Sequence, residues 1–194
     1  MKILLCADFH GDFTRLFQIA KKADICICTG DIFDYHQYPD TFSFPLPFYS
    51  IKGNKEIWGA NELKSRLQTY NNFHWLQESY EELTELTGLS FLGINHNETD
   101  KLLSREYDII ISHQPAYGFA DQCSNSFHIK MVKNCGSKNI WRLISKKPPK
   151  LFIAGHVHHF QYQITDTTIF YTLGPALTNP VLILDNSKIK LFNY

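Results

Sequence analysis

Residues 2–10, KILLCADFH, decide the class of fold that this sequence adopts. An apolar run ends at Asp8 and His10, which is typical of a buried strand with polar side chains just beyond its carboxyl end. In open α/β sheets, the groups that act on ligands gather at that edge. Because Asp8 and His10 are two positions apart, both side chains can lie on one side as the chain leaves the strand. The pattern predicts a binding site wherever other strands end in the same way.

Further apolar runs end at polar residues, and helical spacing separates several of them. Helical periodicity spans residues 15–22, 61–69 and 137–146, so strands alternate with helices and an α/β sheet is expected. The runs and the polar residues after them are DICICTG before Asp31 and Asp34, FYSIKG before Asn54, DIIIS before His113, and KLFIAG before His156 and His158.

The last third of the chain has a different pattern. FQYQIT, TIFYTLG, VLILD and KIKLF follow one another at hairpin-like spacing over residues 160–192. We expect these runs to form a second, more antiparallel sheet. Together with EELTEL and LSFLGI on either side of Gly88, they predict two sheets packed face to face with helices outside. No internal repeat or linker interrupts the sequence, so one domain over residues 1–194 is expected.

Composition excludes several classes of partner. The 194 residues are 44% hydrophobic and 20% charged, and Lys plus Arg equals Asp plus Glu at 19 each. A balanced charge gives no long-range attraction to nucleic acid or to an anionic membrane. Only five apolar residues separate Lys2 from Asp8, which is too short for a secretory signal or a membrane span. We therefore expect a cytoplasmic protein with no membrane partner and no strong nucleic-acid signal; the oligomeric state stays open.

The cysteines are expected to pack in the core. They form no C-x-x-C pair, and three of them fall inside apolar runs. In the cytosol they should stay reduced, so neither disulfides nor a thiolate zinc site is expected. The five residues are Cys6, Cys26, Cys28, Cys123 and Cys135.

The polar residues at the strand ends have the chemistry of a metal site. Imidazole, carboxylate and amide oxygen without thiolate favour Mn²⁺, Fe or Zn²⁺ over a soft metal. Seven such groups at five strand ends suffice for two ions that share one ligand. Taken singly, a histidine at a strand end usually forms surface hydrogen bonds, and an aspartate after glycine is usually a turn or a helix cap. It is the ordered set of five that indicates a site.

The series D-x-H, G-D-x-x-D, G-N-x-E, S-H-x-P and G-H-x-H resembles the calcineurin-like metallophosphoesterase superfamily over residues 8–158. Within it, residues 112–121 (SHQPAYGFAD) and 135–159 resemble the small Icc-type, cyclic-nucleotide-phosphodiesterase-like branch. The resemblance implies a four-layer αββα sandwich, made of two mixed sheets flanked by helices. It also implies a single metallophosphoesterase domain over residues 1–194.

The resemblance further implies a dinuclear centre that hydrolyses a small phosphoester, with a phosphodiester favoured. Two divalent ions, Mn, Fe or Zn with Mn favoured, would share a hydroxide that attacks phosphorus in line. The first ion would be held by Asp8, His10, Asp31 and His158, and the second by Asp31, Asn54, His113 and His156.

Lys55 departs from the family pattern G-N-H-[DE], in which the resemblance implies that the histidine protonates the leaving group or binds the transition state. Lysine is a poorer proton donor than histidine near neutral pH. We therefore expect Lys55 to be a fixed positive charge that Asp34 orients and that contacts the substrate beside Asn54. Asp31 completes the expected catalytic set. The alternative is that Lys55 only pairs with Asp34 or Glu56.

Other interpretations stay open at this point. The same fold could serve as a non-catalytic or weakly active protein-binding scaffold, and a nuclease is disfavoured by the neutral charge. His36 and His96 lie in expected loops and are interpreted as surface residues, with a position on the substrate face as the alternative. Residues 119–134, which include His128, lack periodicity and could cover the site as a lid.

Overall fold

The computed structural model describes residues 1–34, 38–58, 65–96, 105–125, 128–132, 134–185 and 188–192. Within these ranges, two large sheets and one hairpin account for the strands. The strands are β1 (Lys2–Cys6), β2 (Ile25–Cys28), β3 (Ser43–Ser50), β4 (Asn71–Trp75), β5 (Phe91–Ile94), β6 (Ile109–Ser112), β7 (Cys123–Asn125), β8 (His128–Val132), β9 (Leu151–Ala154), β10 (Gln161–Ile164), β11 (Ile169–Thr172), β12 (Val181–Asp185) and β13 (Lys188–Phe192). The helices are α1 (Thr14–Ile19), α2 (Asn54–Trp58), α3 (Tyr80–Thr87) and α4 (Lys138–Ile144).

Both large sheets are mixed. The first has the order β13-β12-β1-β2-β3-β4, in which β1 to β4 are parallel and β12 and β13 run antiparallel to their neighbours. The second has the order β10-β11-β9-β6-β5, in which only β10 is antiparallel to its neighbour. Parallel neighbours place their carboxyl ends at one edge of each sheet, where the predicted site residues lie.

The sheets pack face to face, and alternation along the strands builds the layers. In β1, Ile3 and Leu5 lie in the core between the two sheets, whereas Leu4 and Cys6 lie on the outer face that α1 covers. The outer face of the second sheet packs against α4 through Ile140. This arrangement confirms the expected four-layer sandwich of two mixed sheets with helices outside. In the described ranges, we find no helix with the length and apolar character of a membrane span.

The C-terminal strands correct one expectation. They do not form a sheet of their own, because β10 and β11 join the second sheet while β12 and β13 join the first beside β1. The reason lies in VLILD: Leu182 and Leu184 enter the core between the sheets, and Val181 and Ile183 enter the outer core under α1. A strand that is apolar on both faces needs cover on both sides, which the position beside β1 supplies.

Cys123 and Cys135 form a disulfide, so the expectation that every cysteine stays reduced is wrong for this pair. The antiparallel hairpin of β7 and β8 returns the chain, and the backbone N–H of Cys135 donates to the Asp121 carbonyl, which brings the two cysteines together. The segment 119–134 therefore contains a cross-linked hairpin; its role as a lid stays a prediction. Among the other cysteines, Cys6, Cys26 and Cys28 are buried in the core, as expected.

Candidate metal centre

Left-handed backbone marks the turns that carry most of the predicted ligands. Positive φ is rare for residues other than glycine, and it clusters at functional sites, because the surrounding structure must hold such residues in place. The predicted ligands with positive φ are Asp8 (50°), His10 (49°), Asp31 (53°), His156 (71°) and His158 (54°). These turns direct the side chains from both sheets toward one another.

The first group of possible ligands comprises Asp8, His10 and His158. The Nε2 atoms of His10 and His158 lie 3.1 Å apart, and His10 Nδ1 lies 3.0 Å from Asp34 Oδ1. Burial, with the charge of His10, lowers the pKa of His158 to about 4. His158 is therefore neutral at pH 7, which is the state in which imidazole binds a metal ion.

The second group contains His113, His156 and Asn54. His113 Nε2 lies 2.8 Å from Asn54 Oδ1 and 3.1 Å from His156 Nδ1. His113 Nδ1 lies 2.8 Å from the Thr29 carbonyl, which only accepts, so Nδ1 carries the proton and Nε2 presents a lone pair. Two acceptors, His113 Nε2 and Asn54 Oδ1, thus face each other, and a cation between them satisfies both.

Asp31 and Asp8 connect the two groups. Carboxylate oxygens of both lie within 4.8 Å of each other and of a ring nitrogen of His113. Asp8 Oδ2 accepts from the His156 N–H at 2.9 Å, while the buried Oδ1 has no hydrogen-bond partner among the described residues. Burial, and then the neighbouring Asp31 charge, raises the pKa of Asp8 well above its ordinary value, and burial raises the pKa of Asp31. Neighbouring buried carboxylates are costly unless cations neutralise them, so the residues fit a metal centre.

With this geometry established, the chain can be compared with known proteins. The family model of the calcineurin-like phosphoesterases matches residues 1–160. The chain belongs to this family. This phosphoesterase is thus a metal-dependent hydrolase of phosphoric esters, as the motifs predicted. No curated protein sequence matches it significantly.

Solved structures share the fold at low sequence identity. TT1561 of Thermus thermophilus is 13% identical with a TM-score of 0.57, covering 99% of this chain and 98% of that one. GAP50, the anchor in the inner membrane complex of Plasmodium, is 11% identical with a TM-score of 0.53, covering 98% and 83%. A dimetal phosphatase from Danio rerio is 12% identical with a TM-score of 0.51, covering 100% and 99%. At these identities the likeness extends to the fold alone.

Glu56 of the phosphoesterase has a structural role that the sequence did not reveal. Its buried carboxylate accepts three backbone N–H groups: Asp31 at 3.0 Å, Ile32 at 2.7 Å and Gly53 at 2.8 Å. Burial, and then the charge of Asp31, raises the pKa of Glu56 to about 7. Glu56 thus joins the turn that carries Asp31 to the turn that carries Asn54. The spacing G-N-x-E was the available signal, because it places this acceptor two residues after a ligand.

Lys55 and Asp34 are in contact at the rim of the centre. Lys55 Nζ lies 3.1 Å from Asp34 Oδ1, and the Lys55 backbone N–H donates to Asp31 Oδ1 at 2.9 Å. Burial would raise the pKa of Asp34, but the contacts with Lys55 and His10 outweigh it and leave this pKa below its ordinary value. The Asp34 carboxylate is therefore ionised and holds the ammonium group beside His10. This contact fits both the orienting role and the simple ion pair.

His96 lies inside the site, so its interpretation as a surface residue is wrong. It is 4% exposed, and its ring centroid lies 5.3 Å from that of His113 and 5.2 Å from that of His156. The signal was the run LSFLGI, which becomes β5 and lies beside β6 with its carboxyl end at the same edge. The same rule that identified His113 applies to His96, which lies two positions after this run. His36 and the side chain of His128 lie outside the described part of the chain.

Proposed function

We propose that this phosphoesterase is a dinuclear phosphodiesterase in which Asp31 serves both ions. The supporting observation is that carboxylate oxygens of Asp8 and Asp31 and a ring nitrogen of His113 lie within 4.8 Å of one another, which brings the two ligand groups together. In the proposal, Asp8, His10, Asp31 and His158 hold one ion, and Asp31, Asn54, His113 and His156 hold the other.

Divalent ions held by these residues would supply Lewis-acid chemistry, because they would acidify a water nucleophile and stabilise charge on the phosphoryl oxygens. The protein's own groups position the rest. His113 donates from Nδ1 to the Thr29 carbonyl, which fixes the ring so that Nε2 faces the centre. Lys55, held by Asp34 at 3.1 Å, presents a positive charge where negative charge develops in the transition state. Asn54 is a neutral ligand, which leaves more positive charge for an anionic substrate.

Two further parts of the proposal rest on chemistry and resemblance. Imidazole, carboxylate and amide ligands favour Mn, Fe or Zn, and we propose Mn first. Preference for a small phosphodiester rests on the likeness of residues 112–121 and 135–159 to the cyclic-nucleotide-phosphodiesterase-like branch.

We also infer that residues 1–194 form one domain, because β12, beyond the segment that the family model matches, pairs with β1.

A binding scaffold is the alternative that the fold alone leaves open, since an anchor protein and a dimetal phosphatase both share it. The buried, unpartnered Asp8 Oδ1 favours catalysis, because burial of such a group is costly and a scaffold gains nothing from it.

A cytoplasmic location stays a prediction, and the disulfide of Cys123 with Cys135 bears against it, since the cytosol keeps most thiols reduced.

The test is a hydrolysis panel on the full chain after reconstitution with Mn²⁺, Fe²⁺, Zn²⁺ or Mg²⁺. We expect two ions per chain by elemental analysis and faster turnover of diesters than of monoesters. Asp31→Asn should lower activity more than Asn54→Ala, because Asp31 serves both ions. Asn71→Ala, at the exposed start of β4, is the control. Two bound ions without hydrolysis would support the scaffold, and faster monoester turnover would refute the substrate class.

A further inference from the structure

His96 is placed against the second group of ligands by three ring contacts. Its ring centroid lies 5.3 Å from that of His113 at 71° and 5.2 Å from that of His156 at 48°. Trp58, at the end of α2, lies edge-on to it at 5.0 Å and 83°. The backbone N–H of His96 donates to the Lys52 carbonyl at 2.8 Å, which holds this turn beside the one that carries Asn54. These contacts hold the imidazole in place beside His113 and His156.

The His96 ring is polar and buried, yet its Nδ1 has no hydrogen-bond partner among the described residues. A buried imidazole nitrogen in a structural role normally donates to a carbonyl or accepts from an N–H, as His113 Nδ1 does with Thr29. An unpartnered nitrogen at 4% exposure is a cost that a bound ion can offset. The packing alone thus leaves the residue without an explanation.

The distances suit coordination of one ion by three imidazoles. One ring nitrogen each of His96, His113 and His156 lie within 4.8 Å of one another. Metal–nitrogen bonds of about 2.1 Å place two nitrogens on one ion at most about 4.2 Å apart. A shift of well under about 1 Å therefore brings any of these pairs into a common coordination sphere.

We propose that His96 is a further ligand of the ion that His113, His156 and Asn54 bind. This inference rests on the proposed dinuclear function and extends its ligand set by one imidazole from the turn after β5, the edge strand of the second sheet. The third imidazole would make the second site richer in nitrogen than the first, which at this one site favours Zn²⁺ or Fe²⁺ over the Mn²⁺ proposed for the centre as a whole.

The test compares the wild-type chain with His96→Gln in titrations with Co²⁺, followed by calorimetry and visible absorption. We expect two ions on the wild type, and an affinity for one of them that falls about 10- to 100-fold or more in His96→Gln while the other is unchanged. His74→Gln is the matched control. His74, in β4, stacks on Tyr49 with ring centroids 4.8 Å apart and belongs to none of the described ligand groups. Equal affinities and spectra for His96→Gln and wild type would overturn the inference.

A second measurement needs no variant and covers the case in which His96→Gln fails to fold. Proton NMR of the Co²⁺-loaded wild type should show shifted, exchangeable imidazole protons from the histidines that bind the ions. We expect one more such proton than the four histidines already proposed as ligands supply, which are His10, His113, His156 and His158. The same number as those four residues supply would overturn the inference while leaving the dinuclear centre intact. If the wild type binds fewer than two ions, the proposed function fails first. Unchanged metal affinity with an altered pH–rate profile in His96→Gln would identify a proton donor and likewise overturn the proposal.

Discussion

Gly53 stands where three parts of the metal centre meet, and Gly53→Ala should disturb the centre rather than the fold. A Cβ atom at this position would lie 2.2 Å from Asp31 Oδ1, 2.5 Å from the Asp31 backbone nitrogen and 2.8 Å from His113 Cε1. All three distances fall below any ordinary van der Waals contact. His113 is held by its bond to Thr29 at 2.8 Å, and the Asp31 N–H by its bond to Glu56 at 3.0 Å. The Asp31 carboxylate is therefore the group that moves most easily, and the contact with the Asp31 backbone nitrogen forces the turns of Gly53 and Asp31 apart as well.

The size of the effect can be worked out from these contacts. Forcing one methyl group into a packed site costs about 1–3 kcal/mol of folding free energy. Displacing the Asp31 carboxylate also weakens its bond from the Lys55 N–H, now 2.9 Å long, and removes a ligand that both ions are proposed to share. Misplacing groups that orient ligands lowers metal affinity about 10- to 100-fold, and we expect a loss at the upper end of that range for both ions.

Calorimetric titration with Mn²⁺ and urea unfolding of the metal-free protein separate the two effects. Gly88→Ala is the matched control, because Gly88 caps α3 at φ 68° and a Cβ there meets nothing within 4 Å. It should lose about 1 kcal/mol of stability through left-handed strain and keep wild-type metal affinity. If Gly53→Ala bound both ions as tightly as Gly88→Ala, the close approach of Gly53 to Asp31 would not control the centre, and the reasoning would be refuted.

Three further outcomes are expected. Lys55→Ala should lower kcat for aryl and alkyl diesters by a similar factor, about 10- to 1000-fold, in steady-state assays; loss of alkyl ester activity alone would instead make Lys55 the proton donor. Hydrogen bonds from Lys150 and Ser90 lower the pKa of Asp108 from 3.8 to about 2, so its contribution to stability is complete above pH 3.8 and is lost as pH falls through 2. Urea unfolding should therefore show Asp108→Asn to be less stable by about 1 kcal/mol at pH 7, with the difference vanishing in acid; an equal difference at all pH values would contradict this. Reduction of the Cys123–Cys135 disulfide, which closes a separation of 12 residues, should lower the free energy of unfolding by about 3 kcal/mol, measured with and without reductant; an unchanged midpoint would show that the bond does not constrain the unfolded chain.

The site residues could be predicted where the end of a strand can be recognised from the sequence. Asp8, Asp31 and His113 come after short, strongly apolar runs, and parallel strands bring their carboxyl ends to one edge, so local patterns sufficed to predict that they meet. His96 obeys the same rule after β5, but it lies in the polar stretch NHNE, which is typical of a surface loop. Glu56 was missed for another reason: a carboxylate that accepts backbone N–H groups leaves no periodic pattern.

The remaining differences depend on contacts between distant parts of the chain. β3 begins at Ser43, although Pro45 and Pro47 are unusual in a central strand because proline has no N–H to donate. The pairing of β3 with β4 shifts register between Ser43 and Phe48. No ladder hydrogen bond is therefore required where the prolines lie. The sheet in which VLILD pairs depends on cover for both of its faces. The pairing of two cysteines likewise depends on a hairpin, and their spacing alone does not reveal it.

The left-handed turns at Asp8, Asp31 and His156 have an evolutionary consequence. Each holds a side chain in a backbone region that costs about 1–3 kcal/mol for residues other than glycine, and the cost is recovered only when ions are bound. Glycine at these positions would relax the turns, and at Asp8 and Asp31 it would also remove the repulsion between two neighbouring carboxylates. Natural selection for hydrolysis and laboratory selection for heat resistance therefore act in opposite directions on the same residues. A library screened only for thermal tolerance, in the absence of metal, should lose these ligands first and keep the sandwich around them.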